Sequence, residues 1–173
     1  MGKVRHVVAS KLSASRERGA AMVELALVLL PLMAIMMAII DFSMPIFLRS
    51  TFTAAVREGC RYGITYQLTY NGTTYGSQTA AIKAVVQGNS MGFLAGAPGA
   101  ALIQVNYYSP VSPFGQVTGV GANNSGNIVE VTVSGYSWLS IAPIWRANTP
   151  VSVSAISADR LETLPAGQAL PAS

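Results

Sequence analysis

The chain has 173 residues, of which 51% are apolar and only 10% are charged, and its formal net charge is +4. This length allows one modest domain together with a membrane segment. Residues 1–18 carry five basic side chains and one acidic side chain, whereas six of each follow, so the net charge lies in the N-terminal stretch. A nucleic-acid-binding protein would need a basic face on a folded domain, so this pattern argues against a nucleic-acid partner.

An apolar stretch runs from Ala20 to Ile40 and contains one charged residue, Glu24. As a helix it would be ~31 Å long, enough to cross the hydrocarbon core of a bilayer. It is longer than the apolar part of a secretory signal and no small-residue cleavage site follows it, so we expect a retained transmembrane helix over 20–41. Basic flanking residues stay in the cytoplasm, which makes 1–19 a cytoplasmic leader and places the C-terminal part outside.

The helical pattern continues beyond Asp41, and we expect one long, bent helix from about residue 20 to about residue 66. Pro31 and Pro45 are the predicted bends. Residues 42–66 form an amphipathic continuation, because apolar side chains recur there at helical spacing between arginines. The apolar positions are Phe47, Leu48, Phe52, Ala55, Val56 and Cys60.

Two glycines and a cysteine mark the end of this helix. Gly59 and Gly63 stand four residues apart, which indicates either close helix packing against another backbone or fraying of the helix. Cys60 is the single cysteine of the sequence, so no intramolecular disulfide can form. Its thiol is either a small buried apolar group or a partner in an intermolecular bridge.

Residues 67–164 predict a small extracytoplasmic domain, which makes the fold class α+β. Asn71-Gly72 is a turn, because both residue types tolerate positive φ. Ser77 is expected to cap a short helix over Gln78–Gln87, and Gly88–Gly99 is expected to be a loop. The inward side chains of that helix would be Ala81, Ile82 and Val85.

The apolar period then changes to two, which predicts three half-buried strands in an antiparallel sheet. The strands begin near Ile103, Val129 and Val151. Gly115–Gly126 is expected to be a long flexible connection, and 165–173 a disordered tail. Trp138–Trp145 is unusually apolar for a connection, and it either fills the core or touches the membrane interface or a partner.

Little in the sequence supports an enzyme, and we expect no catalytic residues, no cofactor and no metal site. The single histidine, His6, lies in the leader, and no phosphate-binding loop, nucleophile elbow or Cys/His metal spacing is present. Glu130 with Asp159 is a conceivable carboxylate pair, but polar residues of a half-buried strand are usually solvated.

The segment Arg18–Glu24 resembles the processing site of type IV prepilins, in which a basic leader ends in glycine and glutamate occupies the fifth position of the following helix. Within that class, the chain resembles the TadE-like family of tight-adherence (Tad/Flp) pilus proteins, which are pseudopilins or minor pilins. The likeness extends through Leu25–Pro31, Asp41-Phe42 and Ala54–Tyr62, and more loosely through the last strands. Cys60 stands where the family usually has a small residue.

The resemblance implies that a dedicated prepilin peptidase cleaves between Gly19 and Ala20. It implies as partners other pilin or pseudopilin subunits, held through the N-terminal helix, together with the inner-membrane pilus assembly platform and membrane lipid. The chain would be a single-pass protein of a bacterial inner membrane with a periplasmic C-terminal domain. It could also be incorporated into an extracellular pilus. It would act in pilus assembly, surface adhesion or associated secretion.

Glu24 has two interpretations. Cleavage would free an α-amino group on Ala20, one helical turn away, and the carboxylate could pair with that amine or with a neighbouring subunit's amine. Alternatively, Glu24 lies in the headgroup layer near the helix N-terminus.

Two other functions remain open at this point. One is a membrane-anchored extracytoplasmic binding or adhesion domain that does not assemble, with Trp138–Trp145 and the tyrosine-rich strands as its contact surface. The other is a pseudopilin of a different secretion system.

Overall fold

The computed structural model describes residues 2–112, 114–140, 150–164 and 167–173, with side chains from Gly19 onward. Over these residues a long N-terminal helix precedes two short helices and two antiparallel sheets, so the predicted α+β class is confirmed. The chain divides into two compact units. The first holds the residues up to Ser43 together with Ser140, and the second, here called the C-terminal domain, holds the described residues of 44–139 and 150–173.

Helix α1 spans Gly2–Ile64 and contains both Pro31 and Pro45. Its end lies within two residues of the predicted one, but it begins inside the predicted leader rather than near Ala20. Lysine, arginine, alanine and leucine are good helix formers, and no proline interrupts them before Pro31. Among the described residues, α1 is the one helix that is long and apolar enough to cross a membrane.

The second half of α1 belongs to the core of the C-terminal domain. Leu48, Phe52 and Val56 are fully buried, as their helical spacing predicts. Phe47 is an exception, because it is 45% exposed; its ring contacts that of Phe93 in an edge-to-face arrangement, at a centroid distance of 6.3 Å. It lies one residue before Leu48, about 100° around the helix, and therefore at the margin of the buried stripe.

Helix α2 spans Gln78–Asn89 and begins as predicted. The side chain of Ser77 accepts a hydrogen bond from the backbone amide of Ala80 at 3.2 Å, which satisfies one of the free amides of the first turn. The three predicted inward residues are buried, and two that were not predicted, Gln78 and Val86, are buried with them.

The predicted loop over Gly88–Gly99 is wrong at both ends. Gly88 lies within α2, and a third helix, α3, spans Gly96–Ala101. The side-chain amide of Gln87 donates to the carbonyl oxygens of Leu94 and Gly96, at 2.7 and 2.8 Å, and so fixes the turn between the two helices. Pro98 is compatible with α3 because the first turn of a helix needs no amide donor.

Among the described residues the main sheet has four strands: β3 Ile103–Tyr108, β4 Gln116–Val117, β5 Ile128–Trp138 and β6 Val151–Arg160. Across the sheet their order is β4-β3-β5-β6. Each neighbouring pair is antiparallel, which confirms the three predicted strands and their arrangement. A separate two-stranded sheet, β1 Thr69–Tyr70 with β2 Thr73–Thr74, closes on Asn71-Gly72, whose φ angles of 48° and 77° confirm the predicted turn.

One face of the main sheet is covered by α1 and α2, and the other is largely polar. The buried side chains come from alternate positions of the strands, since successive side chains of a strand point to opposite faces. They are Ile103, Tyr107, Val129, Val131, Val133, Val153 and Ala155.

Two segments are more ordered than the sequence suggests. Strand β4 and the fully buried Asn123 interrupt Gly115–Gly126, so the prediction of one long flexible connection is wrong there. The sequence predicts disorder for 165–173, whereas the structure has residues 167–173 against the domain. There the carbonyl of Ala172 accepts a hydrogen bond from the amide of Gln78 at 2.8 Å.

The apolar Trp138–Trp145 segment is described only in part. Trp138 is half-buried at the end of β5 and packs against the core, whereas Leu139 is 55% exposed. Residues 141–149 lie outside the described residues. For most of the segment, both predicted roles, filling the core or forming a contact surface, therefore remain predictions.

Candidate assembly and processing site

The proposed processing position lies on an open part of α1. A Cβ built on Gly19 would meet no atom within 4 Å, and Gly19 and Ala20 are both exposed. A peptidase can therefore approach this peptide bond without displacing another part of the described chain. It would still have to unwind the helix locally, because a helical backbone is not presented in an extended form.

Glu24 lies one turn beyond Ala20 on the same helix and is exposed. Side chains four residues apart on a helix are neighbours, with their Cβ atoms ~5–6 Å apart. Helix α1 thus brings the predicted processing and assembly residues together, with the carboxylate near the position of the amine that cleavage would create.

The helix around Glu24 exposes an almost continuous apolar surface. No residue from Gly19 to Met33 is more than partly covered by the rest of the described chain. Transfer of such side chains out of water stabilises by ~25 cal/mol per Å², so this surface requires lipid or other chains around it. The large exposed side chains here are Met22, Val23, Leu25, Leu27, Val28, Leu29, Leu30, Leu32, Met33, Ile35, Met36, Met37, Ile39 and Ile40.

The apolar stretch ends at Asp41, which is partly buried. Its carboxylate accepts a hydrogen bond from the hydroxyl of Ser140 at 2.6 Å. A charge-assisted bond of this kind is stronger than one between neutral groups, so it helps to hold residue 140 against the helix.

Gly59 and Gly63 lie under α2 of the same chain, far along the sequence from the processing site. A Cβ on Gly59 would be 2.5 Å from Cγ2 of Val86, and a Cβ on Gly63 would be 2.8 Å from Cδ1 of Ile82. Because Gly59 and Gly63 have no side chains, α2 can pack closely against α1 at these two positions. The geometry therefore favours intrachain packing as the role of these glycines.

Cys60 is buried, with 2% of its surface exposed, which fits the interpretation of a small core residue. Its Sγ donates to the carbonyl oxygens of Val129 and Ser157, at 3.6 and 3.4 Å, and thereby links α1 to β5 and β6. Burial is the main cause that raises the pKa of the thiol. A buried neutral thiol is a poor candidate for an intermolecular disulfide.

A buried polar cluster, which the sequence did not predict, joins four parts of the C-terminal domain. Gln78 donates to the carbonyl of Gly63 at 2.5 Å and accepts from the side-chain amide of Asn123 at 2.6 Å. Asn123 also donates to the carbonyl of Pro171 at 2.9 Å, and the hydroxyl of Tyr66 donates to the carbonyl of Asn123 at 3.2 Å. The Asn-Asn-Ser sequence around Asn123 indicates a loop and gives no signal of burial.

The conceivable carboxylate pair does not form. Asp159 is paired in register with Val129, while Glu130 is paired with Ala158, so the two carboxylates lie on opposite faces of the sheet. Glu130 instead accepts a hydrogen bond from the hydroxyl of Tyr108 at 3.4 Å. Within the described ranges no three His, Cys, Asp or Glu side chains are grouped so that they could hold a metal ion.

These features define a class: a membrane-anchored protein in which a long helix leads into a small α+β domain, and in which a glycine and a glutamate lie at the start of the exposed apolar stretch of that helix. The family model described as TadE-like protein matches residues 19–61, which confirms the resemblance to the TadE-like family over that segment of α1. No curated protein and no solved structure shows significant similarity to the chain.

Proposed function

We propose that this chain is a minor pilin or pseudopilin of a Tad-type pilus system. A prepilin peptidase would cleave after Gly19, and the mature chain would assemble by lateral packing of its N-terminal helix in the bacterial inner membrane, with the C-terminal domain in the periplasm. The observation that carries the proposal is the Gly19–Glu24 spacing at the start of the exposed, membrane-length apolar stretch of α1, within the matched segment.

Charge pairing gives Glu24 a role in assembly. A carboxylate within a membrane-length helix costs ~2.5–3.5 kcal/mol on insertion scales, and this cost falls when a cation lies beside it. The amine of Ala20 on a neighbouring mature chain is such a cation. Pairing between chains would therefore favour oligomers over isolated helices, and it would align the two helices at their N-termini.

The test replaces Glu24 in the full-length protein within a bacterium that produces the pilus. Glu24→Gln keeps the size and removes the charge, so we expect normal membrane insertion but a tenfold or greater loss of the chain from assembled pili or assembly complexes. Glu58→Gln is the matched control, since Glu58 is exposed on the same helix within the C-terminal domain. Equal assembly of the Glu24→Gln protein and the control would contradict the proposed role.

A further inference from the structure

Helix α2 and the turn after it lead back along the second half of α1. At the start of α2, the side chain of Gln78 donates a hydrogen bond to the carbonyl of Gly63. Beyond the end of α2, the ring of Phe93 contacts that of Phe47 at a centroid distance of 6.3 Å. Helix α2 therefore runs antiparallel to this half of α1. The turn between α2 and α3, residues 90–95, lies beside the N-terminal end of that half.

The length of α1 places Phe47 at the level of the lipid headgroups. A bilayer has a hydrocarbon core of ~30 Å and is ~40–45 Å thick in all, so each headgroup layer is ~5–8 Å deep. When Ala20–Ile40 fills the core, residues 41–47 extend the helix ~10 Å beyond it. The Cα–Cβ bonds of a helix tilt towards its N-terminus, so the ring of Phe47 reaches back from this height into the headgroup layer.

The charges of α1 agree with this level. Residues 19–48 contain two charged side chains, Glu24 and Asp41, and a helix of this length measures ~45 Å, the thickness of a whole bilayer. Arg49 follows directly and is exposed. An arginine suits the outer boundary of the headgroup layer, because its stem is apolar and its guanidinium group is attracted to phosphate.

The α2–α3 turn exposes apolar surface at the same level. Met91 is 71% exposed, and Ala95 is also exposed. No charged residue occurs between Lys83 and Glu130, so neither the turn nor α3 carries a charge. The turn can therefore approach lipid without the desolvation of an ion.

The backbone of the turn makes its own hydrogen bonds. The amide of Phe93 donates to the carbonyl of Ser90, and the amide of Leu94 donates to the hydroxyl of the same serine, both at 3.1 Å. The amide of Ala95 donates to the carbonyl of Gly92 at 3.2 Å. Because unpaired backbone groups are costly to remove from water, these bonds lower the cost of placing the turn among lipids.

Met91 suits a lipid contact better than it suits the turn. Its φ angle is 54°, in the left-handed region that asparagine and glycine adopt more readily than methionine. Its side chain is mostly exposed, so the fold gains little from it in return. A long, flexible, apolar side chain is well adapted to an irregular apolar environment such as lipid.

We propose that the α2–α3 turn lies in the headgroup layer of the bilayer that α1 crosses, with the side chain of Met91 among the lipids. The contact between Phe93 and Phe47 holds the turn at this depth. Because α1 tethers the turn beside the bilayer, even a weak contact is well populated. The proposal goes beyond the proposed function, since it requires α1 to span a membrane but needs neither cleavage nor assembly.

Quenching by labelled lipids tests the contact in nanodiscs that hold one full-length chain each. In a Cys60→Ala background, Ala95→Cys carries an environment-sensitive fluorophore on the turn. Thr65→Cys carries the same fluorophore on an exposed position ~27 Å further along the chain from Phe47, measured as helix. With a nitroxide on the lipid headgroups, we expect strong quenching at position 95 and none at position 65.

Substitution of Met91 separates the lipid contact from the stability of the fold. Asparagine tolerates positive φ, so Met91→Asn should unfold in detergent at the same or a higher denaturant concentration than the native chain. The ratio of lipid-bound to free turn, read from the quenched fraction, should fall about tenfold because an apolar side chain leaves the lipid. Met91→Gly, which also suits the turn, is a second variant with the same expectation. Met91→Leu is the matched control and should keep the ratio within about twofold.

Four results would overturn the proposal. They are equal quenching at positions 95 and 65, a quenched fraction that Met91→Asn and Met91→Gly leave unchanged, a loss of stability in both variants that parallels the loss of quenching, and a label at position 95 whose emission shifts only when two chains share a disc. The last result would assign the turn to a second copy. The mass of the N-terminus, which tests the proposed function, is independent of all four.

Discussion

The glycines beneath α2 make a prediction in which two similar substitutions have different effects. Alanine at either Gly59 or Gly63 gains ~1 kcal/mol of helix propensity over glycine. At Gly59 the new Cβ would lie 2.5 Å from Cγ2 of the fully buried Val86, and that methyl group is held by a stiff β-branched side chain. At Gly63 the nearest atom, 2.8 Å away, is the terminal Cδ1 of Ile82, which can rotate.

Overpacking of a filled core costs ~1–3 kcal/mol, and the rigid contact at Gly59 places it at the upper end. We therefore expect Gly59→Ala to destabilise the domain by ~1–2 kcal/mol and to lower its melting temperature by about 3–8 °C. The free energy of unfolding of Gly63→Ala should be within about 0.5 kcal/mol of that of the native protein, because the gain in helix propensity offsets the cost of shifting the Ile82 side chain.

Chemical unfolding of the full-length chain in detergent measures both values, and Val86→Ala completes a double-mutant cycle. Removing Cγ2 of Val86 relieves the clash, so Gly59→Ala with Val86→Ala should be at least ~1 kcal/mol more stable than the sum of the single changes. Additive effects, or equal stabilities for Gly59→Ala and Gly63→Ala, would refute the packing argument.

Two further predictions concern the core of the domain. Gln78→Leu keeps the volume but removes the hydrogen bonds to Gly63 and Asn123, so it should lower the free energy of unfolding by ~2–3 kcal/mol. The control Gln67→Leu, at an exposed position, should lower it by less than about 0.5 kcal/mol. Equal stability of the two variants would show that the polar cluster contributes nothing. Burial raises the pKa of the Cys60 thiol, so the stabilising contribution of the neutral folded thiol is full below the unfolded pKa and is lost as pH rises through the folded pKa. Unfolding of the native chain should therefore become easier than that of Cys60→Ala as pH rises above about 9.0, and parallel pH profiles would contradict this.

Regular periodicity is what made much of the fold predictable. Leu48, Phe52 and Val56 repeat at helical spacing, and Val129, Val131 and Val133 repeat at strand spacing, so each set identifies its own buried face. The cap at Ser77 and the Asn71-Gly72 turn follow from local backbone chemistry. These features depend on neighbours in the sequence and need no knowledge of distant contacts.

The features that were missed depend on contacts between distant residues. Gln78 and Asn123 are 45 positions apart, and each looks like a solvated residue until the other is placed beside it. Helix α3 has the composition of a loop, and its entry is held by Gln87 from another helix. Strand β4 is too short for any period to be visible.

The candidate site was predictable for a different reason. Gly19 and Glu24 lie within one helical segment, so their spacing in the sequence is almost their spacing in space. The neighbours that Glu24 would meet are other chains or lipid, and a single chain contains neither.

The mass of the mature N-terminus tests the central claim most directly. The full-length protein would be purified from the membranes of a bacterium that carries the pilus system and analysed by intact-mass and N-terminal peptide mass spectrometry. The account predicts a chain that begins at Ala20, and a matched Gly19→Val chain that keeps its leader. A mature protein that still begins at Met1 or Gly2 would contradict it.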